Sequence, residues 1–333
     1  MIKMEIKKYI REYQMSPRGC AFHIWVLACL FLLSSCTAQY PLNPKVEVAG
    51  RAGPDHSKLS DRAGSESLLL ILAFSGGGTR AAVLSYGTLE ALQKVELPGP
   101  EVLSATGKPP QTMLNKVSLI TAVSGGSFTA AYYGLHGKGI FKDFRERFLL
   151  RNVQGDLFWK FLNPFNWPRL WSPRFGRSDI AQEYYNQILF NGATIADMTG
   201  KEDPAIIILA TDAIDGITFP FIQETFDQIC SDFSRFPVSR AVAASSAVPG
   251  PLSPVILKNY AGKCNVPIPE WIPKALEKPD HSSRTYYMAV RADAFLHPDK
   301  KPYIYLLDGG NSRHLLQHHD QPVQLGNHRS SAP

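Results

Sequence analysis

The chain has 333 residues, 44% hydrophobic and 19% charged. That is enough apolar content for one large α/β domain or two small ones, and too much for a disordered chain. Half of the formal net charge of +6 comes from residues 1–35, where five Lys/Arg meet two Glu; the surplus of three on the rest is too weak to indicate a nucleic-acid partner.

Residues 1–35 read as a targeting segment. Lys3, Lys7, Lys8, Arg11 and Arg18 form a positive region, and Ile24 to Leu33 an apolar run too short to span a bilayer. Leu33-Ser34-Ser35-Cys36 resembles a bacterial lipobox, which implies that Cys36 is acylated and becomes the new N-terminus. Met15 is an alternative start that leaves a more compact signal. Thr37 follows the cysteine; an aspartate there commonly signals inner-membrane retention, so the expectation is an outer-membrane lipoprotein facing the periplasm. Residues 36–65 hold Pro, Gly, Ser, Asp and Lys with little periodicity and read as a flexible tether.

The folded region, residues 66–310, opens with the apolar run Leu68 to Phe74, as in a strand buried on both faces. Ser75-Gly76-Gly77-Gly78 breaks it, and Ala82, Tyr86, Leu89 and Leu92 then recur at helical spacing up to Lys94. Val117–Val123 predicts a second strand, Ser124-Gly125-Gly126-Ser127 a turn, and Phe128–Leu135 a helix. Ala205–Ala210 and Tyr303–Leu307 are further strands, the last ending at Asp308-Gly309-Gly310. Strands alternating with helices predict a layered α/β fold with a mostly parallel central sheet flanked by helices. Such sheets place their chemistry at strand ends.

Between these elements, Lys138–Arg177 carries nine Lys/Arg against three acids. Phe141, Phe144, Phe148 and Leu149 keep helical spacing, as a core-facing helix would. Phe158, Trp159, Phe161, Phe165, Trp167, Trp171 and Phe175 lie among prolines and basic residues without helical period. Residues 155–177 are therefore expected to form a lid or membrane-docking loop, Trp beside Lys/Arg suiting the headgroup level; ordinary core packing is the competing expectation. Of the five cysteines, Cys20 and Cys29 leave with the signal, and Cys230 and Cys264 remain to pair or to stay as separate buried thiols. No Cys/His spacing suggests a metal, and no cofactor is expected.

Three turns carry the candidate chemistry. In Ala122-Val123-Ser124-Gly125-Gly126, a serine on a tight strand-to-helix turn is exposed above the sheet, glycine permitting the backbone angles. In Gly76-Gly77-Gly78-Thr79-Arg80, successive glycines let backbone N–H groups converge on one anion, with Arg80 as a brace. Gly76-x-Gly78-x-x-Ala81 also fits a dinucleotide fingerprint, but no acidic residue ends a second strand about 20 residues on. No Gly-Lys-Ser/Thr follows, which excludes a phosphate-binding P-loop. Asp308-Gly309-Gly310 places a carboxylate at a strand end.

In this order the three turns, together with Ala243-Ala244-Ser245-Ser246-Ala247-Val248-Pro249-Gly250, resemble the signatures of patatin-like phospholipases over residues 66–310. The resemblance implies a three-layer patatin-like fold and hydrolysis of membrane lipid esters without a cofactor. It also implies a Ser–Asp dyad in which Asp308 deprotonates Ser124, and an oxyanion hole at Gly76, Gly77 and Gly78 supported by Arg80. The family continues its Asp-Gly-Gly with Asp-Asn-Leu-Gly, whereas this chain reads Asn311-Ser312-Arg313-His314 and runs on as an atypical tail, residues 311–333, read as a frameshifted or truncated end. Two rival readings stay open. One is a histidine-dependent α/β-hydrolase using His314, His318, His319 or His328. The other is a truncated protein that binds lipid or a partner without turnover. Lipid class and oligomeric state are not legible in the sequence.

Overall fold

The computed structural model describes residues 43–46, 69–97, 111–198, 204–264 and 267–311. The signal segment with Cys36, most of the tether, and the tail from Ser312 onward with its histidines lie outside the described residues. In chain order the elements are β1 (Leu70–Phe74), α1 (Thr79–Lys94), β2 (Val117–Val123), α2 (Gly125–His136), α3 (Ile140–Phe144), α4 (Val153–Leu162), α5 (Trp167–Leu170) and α6 (Arg177–Tyr185). Then follow β3 (Ala205–Asp212), β4 (Thr218–Pro220), α7 (Gln223–Gln228), α8 (Val238–Ser245), β5 (Val255–Lys258), α9 (Trp271–Glu277), α10 (Arg284–Leu296) and β6 (Tyr303–Asp308).

The strands form one mixed sheet in the order β1-β2-β3-β6-β5, with β4 also pairing with β3. β1, β2 and β3 are parallel, while β6 enters antiparallel to β3 and β5 antiparallel to β6. The three-layer α/β arrangement predicted from alternating strands and helices is thus present. Its parallel part is the half whose strands are separated by helices. On one face Ile120, Ala122, Ile208, Ala210, Ile304 and Leu306 are fully buried, with α2 and α8 packed against β3. On the other face burial is partial. β1 is an edge strand, and Ile71 on that side is half exposed. The unbroken apolar run at Leu68 to Phe74 therefore does not mark a strand buried on both faces; hydrophobic content alone cannot distinguish edge from centre.

Helix α1 follows from good helix formers and from Ala81, Ala82, Ser85 and Leu89, which share its buried face. Helix α4 starts where the Asn152 side chain accepts the Gly155 N–H at 3.0 Å. Residues 155–177, expected as an aperiodic lid or docking loop, are mostly helical up to Leu170: α4, a 3-10 turn at Pro164–Asn166, and α5. Apolar side chains on both sides of α4 had masked its period. Among the described residues no helix is long and apolar enough to cross a membrane.

Cys230 and Cys264 are joined in a disulfide with Cα atoms 5.6 Å apart, closing a loop over a separation of 34 residues. Loss of unfolded-chain entropy on closing such a loop stabilises the fold by roughly 2–4 kcal/mol. Next to it, residues 43–46, which fall within the stretch expected as tether, are docked on the domain. The buried Asn43 side chain donates to Ser231 Oγ (2.9 Å) and Lys258 O (3.1 Å) and accepts the Lys258 N–H (2.7 Å). Val46 N–H donates to Cys230 O, and Asp232 N–H to Pro44 O. Farther along, the buried Lys301 ammonium pairs with Asp212 and Asp215 and ties the end of β3 to the start of β6.

Candidate active site

Strand register brings the predicted residues into one row. Val123 pairs with Leu209, and Ala210 pairs with Asp308, so Ser124 and Asp308 flank the end of β3 at the same level. Their strands are not adjacent: β3 lies between them, and the side chains meet over it. Ser124 Oγ donates to Asp308 Oδ2 at 2.6 Å, and both residues are buried.

The elbow is strained, as its sequence suggests. Ser124 has φ 52° and ψ −123°, an unfavourable region for a residue with a Cβ. The next residues explain why only glycine fits. A Cβ on Gly125 would lie 2.0 Å from Gly78 O, and one on Gly126 would lie 2.7 Å from Phe74 Cβ. The glycine loop is therefore stacked directly on the first turn of α2. Gly76 belongs to the same contact, since a Cβ there would lie 3.1 Å from Ser124 Cβ. Gly77 and Gly78 take φ of 135° and 63°; Gly78 begins α1 by accepting the Ala81 and Ala82 N–H groups. The loop and the following helix start thus lie next to the serine, where partial positive charge accumulates. Arg80 stands on the first turn of α1, directly after this loop; its side chain is exposed and makes no ion pair among the described residues.

On the other flank, Gly310 N–H donates to Asp308 Oδ1 at 2.8 Å, leaving Oδ2 for the serine. Gly309 is required by packing: a Cβ would meet Leu209 O at 2.8 Å and Val123 Cγ1 at 2.9 Å. Asp308 N–H donates to Ala247 O at 3.0 Å.

Ser245 is a site residue that the sequence did not single out. Its Oγ donates to Leu209 O at 2.7 Å and accepts the Ser124 N–H at 2.8 Å, which couples the elbow to β3. The only signal was the Ala243–Gly250 stretch as a whole, which holds Ser124 through Ser245 and Asp308 through Ala247. Among the described residues no histidine hydrogen-bonds to Ser124 or Asp308, and no group of three or more His, Cys, Asp or Glu is arranged to hold a metal ion.

A mixed α/β sheet thus carries a serine on a strained strand-to-helix turn, hydrogen-bonded to a buried carboxylate. The chain belongs to the patatin-like phospholipase family, whose model matches residues 72–272. Membership supports lipid acyl hydrolysis in general. The match includes the glycine loop, the elbow and Ser245 but ends before Asp308, whose place rests on the geometry above. No curated protein matches the chain.

Proposed function

We propose that the protein is a phospholipase A or lysophospholipase-type enzyme that works through a Ser124–Asp308 dyad. The observation that carries this reading is the 2.6 Å hydrogen bond from Ser124 Oγ to Asp308 Oδ2 beside the glycine loop. In the first step the Asp308 carboxylate takes the Ser124 proton as Oγ attacks the ester carbonyl. The carbonyl π electrons move onto oxygen, and the oxyanion is received by backbone N–H groups of Gly76–Gly78 and the start of α2. The C–O bond of the ester then breaks, and the departing alkoxide takes the proton from Asp308. In the second half, water gives a proton to Asp308 and attacks the acyl-serine, releasing fatty acid and restoring Ser124. The 2.6 Å hydrogen bond already aligns the Ser124 proton with the Asp308 carboxylate in a buried site. A serine-reactive fluorophosphonate tests the reading directly: labelling of the wild type, lost in Ser124→Ala, is expected. An unlabelled wild type would favour the turnover-free lipid binder.

Substituting Gly77 by Val is expected to reduce turnover by about 10²-fold or more, because its φ of 135° excludes a β-branched residue. Steady-state kinetics on a micellar ester measures this, and an unchanged kcat would remove Gly77 from the oxyanion hole.

We also propose that Cys36 is lipidated and holds the domain at the outer membrane facing the periplasm. The Cys230–Cys264 disulfide supports an oxidising compartment. Metabolic labelling with palmitate should mark the wild type and not Cys36→Ala; label that persists in the variant rejects the anchor.

A further inference from the structure

Six large apolar side chains within fourteen residues face solvent: Phe158, Trp159, Leu162, Phe165, Trp167 and Trp171. Trp159 is 71% exposed, Phe165 80% and Trp171 64%. Single exposed apolar residues are common, but a dense group of aromatics is not. The group is also not misplaced core. Helix α4 already turns Val153 and Leu157 into the core, and Phe175 closes the segment as a buried ring. The helix therefore has two apolar sides, one packed and one open.

The segment carries a basic surplus, although Arg169 is paired with Glu183 of α6. Residues 151–177 hold Arg151, Lys160, Arg169, Arg174 and Arg177 against the single acid Asp156. Lys160 lies over the Tyr184 ring, 5.4 Å from its centre, and Arg169 lies over Phe175 at 4.2 Å, so cations and aromatic rings are interleaved. The segment ends against the loop that holds the site. Arg177 Nη2 donates to Gly250 O at 2.7 Å, and Ser178 N–H donates to Ser253 Oγ at 3.2 Å. Three residues before Gly250, Ala247 O receives the Asp308 N–H.

We propose that this face is a membrane-docking surface that seats in the headgroup layer of an anionic bilayer and turns the Ser124 site toward the lipid. Rings at the interface with arginine and lysine beside them match that layer in polarity and in charge. Tether length argues for the same occupant. Asn43 is locked onto the domain and lies seven positions after Cys36, a reach of at most about 25 Å. With Cys36 acylated, the domain cannot leave the bilayer surface. The tether argument rests on the proposed lipidation and the consequence for catalysis on the dyad reading; the exposed aromatic face rests on neither.

The test uses the mature chain from Cys36 carrying Ser124→Ala, so that no lipid is consumed, and Cys36→Ala, so that no acyl chain anchors it, with Trp271→Phe leaving Trp159, Trp167 and Trp171 as the fluorophores. It is mixed with vesicles of phosphatidylcholine containing about a third phosphatidylglycerol, with or without bromine on the acyl chains. Docking predicts that bromine lowers the emission at least about twofold, less in phosphatidylcholine alone, and that adding Phe158→Ser and Phe165→Ser removes at least half of the quenching without moving Tm. A chain that stays in solution, or that sediments with its tryptophans unquenched, overturns the proposal; the second outcome is the one expected if a protein partner or a second copy covers the face. Quenching that is equal in the neutral vesicles overturns its anionic part. Because the assay is independent of hydrolysis, failure of the dyad reading would show separately, as a wild type that releases no fatty acid.

Discussion

Asp308→Asn lowers kcat by about 10⁴-fold or more, equivalent to roughly 5 kcal/mol of transition-state stabilisation. The substitution keeps the size and shape of the side chain, and an amide oxygen can still accept the Gly310 N–H that now goes to Oδ1. What it removes is the proton acceptor for Ser124 Oγ, 2.6 Å away. The fold should therefore survive while the chemistry stops, and Tm separates the two effects. Ser124→Ala should be equally inactive, and the double variant no worse than either, because the two groups act as one unit. Steady-state release of fatty acid from mixed micelles measures all three. An Asp308→Asn variant that retains a tenth of wild-type turnover would show that another group serves as the base.

Arg240→Ala costs about 3–5 kcal/mol of folding stability, the effect expected when one member of a buried ion pair is removed. Arg240 and Asp179 have side chains only 5% and 4% exposed and meet at 3.0 Å. The same guanidinium donates to Gln182 Oε1 and Ile256 O, both at 2.9 Å. It thus ties α8 to α6 and β5. Asp179 in turn accepts the Gly176 N–H at 2.8 Å, at the turn that leads into the aromatic segment. Without Arg240 the carboxylate stays buried and loses its 3.0 Å ion pair. Urea unfolding measures the loss, and a change below about 1 kcal/mol would mean that the site relaxes or hydrates. Replacing both partners by apolar residues of similar size, Arg240→Met with Asp179→Leu, should recover much of the deficit, because the cost lies in the stranded charge.

Local chemistry made much of this protein legible in its sequence. Glycine clusters after apolar runs mark the turns at Gly76, Ser124 and Asp308, because tight turns and close backbone contacts depend on the residues that form them. Helical spacing located α1, and apolar runs located β2, α2, β3 and β6, to within a few residues, since both are local properties. The strand order, the antiparallel entry of β6, and the Ser124–Asp308 contact over β3 join residues 184 positions apart, and no local pattern encodes such a pairing. Likewise Ser245 could not be distinguished from Ser246 before the fold placed its hydroxyl between Leu209 O and the Ser124 N–H. The disulfide was one of two open alternatives until Cys230 and Cys264 were brought within bonding distance. The same holds for the aromatics: a tryptophan at 167 or 171 has the same composition whether packed or bare, and only its position relative to Val153, Leu157 and Phe175 decides which it is.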